Sequence, residues 1–75
     1  MSEDLAIWTV YDHPTDFPEF FIARKSLVSG TGFVITDETI SSISLETLRD
    51  EMKHRGLLRM ARHPSDDPVI VEVWM

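Results

Sequence analysis

The chain predicts an α+β fold of two layers: a mostly antiparallel sheet in the order β-β-β-α-β-β, with one helix packed on one face. Three observations point to it. Several short runs are rich in β-branched and aromatic residues and alternate with period two, and one segment has a full set of helix start and stop signals. The phrase His-Pro-(Ser/Thr)-Asp-x-Pro also occurs twice, at His13 to Pro18 and His63 to Pro68, each time between a short apolar run and a strong strand candidate.

Met1 to Asp4 is polar and expected to fray. In Leu5 to Tyr11 (LAIWTVY), Ala6, Trp8 and Val10 alternate with Ile7, Thr9 and Tyr11, which predicts a first strand. The prolines of the first phrase remove backbone donors and bias the residues before them toward extended backbone, so a helix is disfavoured there. Glu19 to Val28 reads as a second strand, with Phe21, Ala23 and Leu27 on one face and Phe20, Ile22 and Val28 on the other. Ser29-Gly30-Thr31-Gly32 is a tight connection, and Gly32 to Thr36 is a third strand closing a hairpin with the second.

Asp37 to Ser42 reads as a polar connection. Ser44 is placed to cap a helix from about Leu45 to Arg55, with Ile43 and Leu48 spaced for a hydrophobic staple. Leu45, Leu48 and Met52 share one stripe, and Gly56 followed by Leu57 fits a Schellman ending. Leu57 to Arg62 is ambiguous by period, but the repeated phrase argues that it is a fourth strand joined to a fifth at Val69 to Trp74. In that last run Val69, Val71 and Val73 alternate with Ile70, Glu72 and Trp74.

Seventy-five residues make one small domain, residues 1–75, near the lower limit for an apolar core without staples. No cysteine is present, which removes disulfides, thiolate metal sites and cysteine nucleophiles; with no signal peptide in view, a cytoplasmic location is expected. No apolar run reaches bilayer length, so no membrane partner is expected. The net charge of −6 argues against a surface devoted to nucleic acid, yet five of the seven basic residues fall between Arg49 and Arg62.

The runs Trp8-Thr9-Val10-Tyr11-Asp12-His13-Pro14, Phe20-Phe21-Ile22-Ala23-Arg24 and Asp66-Asp67-Pro68-Val69-Ile70-Val71-Glu72-Val73-Trp74 together resemble a family of small uncharacterised bacterial proteins. That resemblance implies a single-domain bacterial protein and brings no catalytic residues with it. Three strands before a helix that opens Ser-Leu-Glu-x-Leu, Ser44 to Leu48, are similar at fold level to HicB-type antitoxin domains. The chain departs from that pattern in lacking a glycine-rich segment before the helix and an appended DNA-binding module.

Three constellations are candidates for function. Strands two and five are apolar on both faces, so one helix leaves a bare apolar face; Trp8, Phe20, Ile22, Ile70 and Trp74 are the expected contacts for a protein partner or a homodimer. Arg49, Lys53, Arg59 and Arg62 form a conceivable stripe for nucleic acid, although a Glu51–Arg55 pair and the helix dipole account for positive charge there more simply. His13, Asp16, His63, Asp66 and Asp67 suit a divalent metal or acid-base site only if the two hairpins lie side by side pointing the same way; the plainer reading is turn chemistry. Phosphate-loop and nucleophile-elbow patterns are missing, no cofactor is implied, and the sequence favours binding over catalysis.

Overall fold

The structure, a computed structural model, describes residues 5–30, 32–61 and 68–75. In chain order the elements are β1 (Leu5–Asp12), β2 (Phe21–Ser29), β3 (Gly32–Ser42), α1 (Leu45–His54), β4 (Arg59–Ala61) and β5 (Ile70–Trp74). The strands form one antiparallel sheet in the spatial order β3-β2-β1-β5-β4, so the α+β class expected from the alternating runs is the one observed. The last strand docks beside the first, with Trp8 opposite Trp74 and Val10 opposite Glu72.

Alternation along β1 sends Trp8 and Val10 to the face covered by the helix, where they meet Ala23, Leu48, Met52 and Trp74 in one buried cluster. Phe21, Ile40, Leu45, Leu57 and Val71 pack around its margin. The helix begins where Ser44 accepts from the Thr47 amide at 3.5 Å. It ends in a Schellman motif: the Leu57 amide donates to the Met52 carbonyl at 3.2 Å and the Gly56 amide to the Lys53 carbonyl at 2.9 Å, with Gly56 at φ 78°.

Two local expectations are corrected. Asp37 to Ser42 is not a connection but the second half of β3, which reaches Ser42 because the strand absorbs its polar residues in an irregularity between Arg24 and Ser26 of the partner. There the Thr36 hydroxyl donates to the Lys25 carbonyl at 2.9 Å and accepts from the Glu38 amide at 3.2 Å, replacing ladder bonds with side-chain bonds. The Ile43–Leu48 staple does not form either, since Ile43 is 78 % exposed while Leu48 is buried. The entry into the helix is held instead by the Ser44 amide donating to Ser42 Oγ at 3.1 Å. The fraying expected of Met1 to Asp4 concerns residues outside those described.

Candidate functional site

The aromatic residues expected at an open apolar face divide differently. Trp8 and Trp74, 3 % and 2 % exposed, lie between sheet and helix rather than on the open side. Lys25 and Arg55 stack over the Trp8 ring, with Nζ and Cζ at 6.0 and 5.2 Å from its centre. Ile22 is buried on the side away from the helix cluster, and Phe20 and Ile70 are half-buried. Exposed apolar residues lie elsewhere, singly at Phe17, Ile43, Leu58 and Met60 and as a run on β3. Phe33, Val34 and Ile35 at the start of β3 are 60 %, 59 % and 67 % exposed, and Leu5 is exposed on β1.

The physical reason lies in the position of β3. It is a sheet edge, and the core margin reaches only its second half, at Ile40. The first half therefore projects past the helix with both faces uncovered. Ile35 lies opposite Ser26 and Phe33 opposite Val28, on the open side of the sheet, while Val34 lies opposite Leu27 on the other side. Sequence alternation could not reveal this, because all three residues are apolar. The available signal was an unbroken apolar run followed, after Thr36, by the Asp37-Glu38 acid pair.

On the open side a hollow of about 500 Å³ lies between Phe33, Ile35, Tyr11 and the first His-Pro loop. The loop turns twice, with the Phe17 amide donating to the Pro14 carbonyl at 2.9 Å and the Phe20 amide to the Phe17 carbonyl at 3.2 Å. Asp16 reaches out of it to pair with the Arg24 guanidinium, which also lies over the Tyr11 ring at 5.9 Å. The ion pair ties the loop to the open face of the sheet.

The first of the two repeated phrases joins β1 to β2; of the second, only Pro68 lies among the described residues. Because β1 and β5 are antiparallel neighbours, the β1–β2 loop and the start of β5 meet at one end of the sheet, where the Asp12 amide donates to the Val69 carbonyl at 2.8 Å. His13 sits there at φ 49°, with Nδ1 against the Asp12 carboxylate and its ring edge-on to Phe21 at 4.8 Å. His63, Asp66 and Asp67 lie outside the described residues. Among the described residues no group of three or more His, Asp or Glu side chains could hold a metal ion.

The basic segment is brought together in part. Arg49, Lys53 and Arg59 line adjoining shallow grooves beside Leu58 and Trp74, and Arg62 lies outside the described residues. Arg49 is committed inward: its Nη2 donates to Glu72 Oε1 at 2.8 Å, and its Nε donates to both carboxylate oxygens at 3.1 and 3.2 Å. The hydrogen-bonded Glu72 carboxylate holds the Arg49 pKa above the usual arginine value. Among the described residues, Lys53 and Arg59 have no ion-pair partner. Arg55 pairs with Glu51 at 3.1 Å, the i,i+4 pair expected from the sequence.

No protein family, curated protein or solved structure matches this chain. No helix among the described residues is long and apolar enough to cross a membrane.

Proposed function

We propose that this chain is a small non-enzymatic protein-interaction module that makes its contact through the outer edge of β3. The observation supporting this most directly is the exposed run Phe33-Val34-Ile35 on an edge strand. An edge presents unpaired amides and carbonyls to an incoming strand, and apolar side chains on both faces add burial to the hydrogen bonding. The hollow under Phe33 and Ile35 extends the contact onto the open side of the sheet. A cytoplasmic bacterial setting is part of the same reading, supported by the absence of cysteine and by the resemblance of the chain's ends.

Capture by affinity-tagged chain from a bacterial lysate containing a differently tagged copy tests this reading. A protein retained by the wild type and by Lys53→Ala/Arg59→Ala, but lost with Ile35→Lys, is the expected result. A protein held equally by Ile35→Lys contradicts the edge as the contact.

A second reading, a nucleic-acid-associated regulator of the antitoxin kind, is supported by the grooves that Arg49, Lys53 and Arg59 share. Its weakness is that a phosphate must compete with Glu72 for Arg49, which leaves Lys53 and Arg59 as the cations of this segment without an ion-pair partner among the described residues. Titration of single-stranded RNA and duplex DNA at low salt distinguishes it: binding lost in Lys53→Ala/Arg59→Ala favours this reading over the first.

A further inference from the structure

We propose that the hollow on the open face of the sheet binds a small carboxylic acid with an apolar body, its carboxylate held by Arg24 and Ser26. This goes beyond the strand contact above, which uses the outer edge of β3; the hollow shares its Phe33 and Ile35 wall with that contact but has its floor on β1 and β2. Thr9 lies opposite Arg24 and Ile7 opposite Ser26 in the β1–β2 ladder, so Thr9, Arg24 and Ser26 share the face away from the helix. Pro14 of the first His-Pro loop closes another side. At about 500 Å³ the hollow has the size of an ordinary small-molecule site, with apolar walls and a few polar groups converging between them.

Ser26 is the residue that points to a ligand. It is 7 % exposed, yet its hydroxyl has no hydrogen-bond partner among the described residues. Every wholly enclosed side-chain polar atom among those residues is paired, so the Ser26 Oγ opens into the hollow that it lines. The position faces Ile7 and Ile35 across the two ladders, where an apolar side chain would pack without leaving a donor unpaired. A hydroxyl kept there gains its bond from the hollow side.

Arg24 sets the chemistry of the group that supplies that bond. Its Nη2 donates to Asp16 and its guanidinium lies over the Tyr11 ring, but no other of its N–H groups bonds a described residue. A guanidinium carries its donors in a planar fork that matches a carboxylate, and the fork has room for one beside Asp16. The Asp16–Arg24 pair is largely exposed and contributes little, so a second carboxylate competes with it at small cost. A phosphate dianion fits worse, because apolar walls and the Asp16 charge both oppose a heavily hydrated double charge. A monocarboxylate sets its charge against Arg24 and Ser26 and its body against Phe33, Ile35 and Pro14.

Amide NMR of the labelled chain, titrated with phenylpropionate, its uncharged amide and acetate, tests the site. Phenylpropionate is expected to give saturable shifts at Thr9, Arg24, Ser26 and Ile35 in the millimolar range. The amide, which keeps the body, and acetate, which keeps the charge, are each expected to bind about tenfold more weakly. Arg24→Met is expected to weaken the acid about tenfold and Ser26→Ala about threefold, while Asp16→Asn tightens it about threefold by removing a competing charge. Acid and amide that bind alike, or an affinity indifferent to both Arg24→Met and Ser26→Ala, overturn the proposal. Shifts centred on Arg49, Lys53 and Arg59 overturn it too, since they mark a carboxylate drawn to charge alone. So does the absence of saturation with both phenylpropionate and hexanoate. Capture dependent on Ile35 without acid binding overturns this site and leaves the edge reading standing; acid binding without such capture does the reverse.

Discussion

Glu72 is the residue whose environment costs most to arrange. It points from β5 into the helix side of the sheet, 3 % exposed, where an unpaired carboxylate would be strongly unfavourable. Arg49 meets it from α1, and the Trp74 indole donates to its second oxygen at 2.7 Å, so its charge and lone pairs are both engaged. Arg49→Ala removes the cation and leaves the buried carboxylate, and is expected to cost about 3 kcal/mol or more in chemical denaturation. Replacing the pair together, Arg49→Met with Glu72→Leu, is expected to recover most of that loss, because neither member is then stranded. The raised Arg49 pKa belongs to a base, so its stabilising contribution is fully present below the unfolded arginine value and is lost only as pH rises through the higher folded one. The Arg49 contribution is therefore expected to leave the denaturation midpoint unchanged between about pH 7 and pH 10, a window below the unfolded arginine value. Gly56 makes a smaller point at the same scale. A Cβ there would meet nothing within 4 Å, so Gly56→Ala is expected to cost about 1 kcal/mol through its positive φ alone, measurable by the same denaturation.

At the scale of elements, β3 combines two functions in one strand. Its second half supplies Ile40 to the core margin, and its first half remains uncovered. Between them Thr36 breaks the ladder and Asp37-Glu38 place charge on the edge, a common defence against indiscriminate strand pairing. The double substitution Asp37→Val/Glu38→Val is expected to raise light-scattering aggregation above that of the wild type at the same concentration. Much at this scale was legible beforehand. The helix was readable because Ser44, the Leu45–Leu48–Met52 stripe and Gly56 act over a few residues of chain. The end of β3 was not, because Asp37 and Glu38 look like a loop unless the strand is known to be an edge with solvent beside it. The burial of Trp8 and Trp74 under the helix was not legible for a related reason. Alternation separates two faces of a strand but does not say which one a distant helix will cover.

Across the whole molecule, the first and last strands meet at the centre of the sheet, and Trp8 and Trp74 seal the core between them. Deleting Ile70–Trp74 is expected to abolish cooperative thermal unfolding, since it removes Trp74 and exposes the inner edge of β1. This closure also sets the β1–β2 loop and the start of β5 at one end of the sheet, where Asp12 bonds to Val69. The first half of β3 extends away from the helix-covered core. The most direct test of the central claim, that this half of the edge makes the contact, is amide NMR of the labelled chain titrated with the protein it captures. The account predicts shifts confined to Gly32 through Thr36 and their β2 partners, with Leu48 and Met52 unmoved. Shifts centred on α1 or β4, or none at β3 while the protein binds, would contradict it.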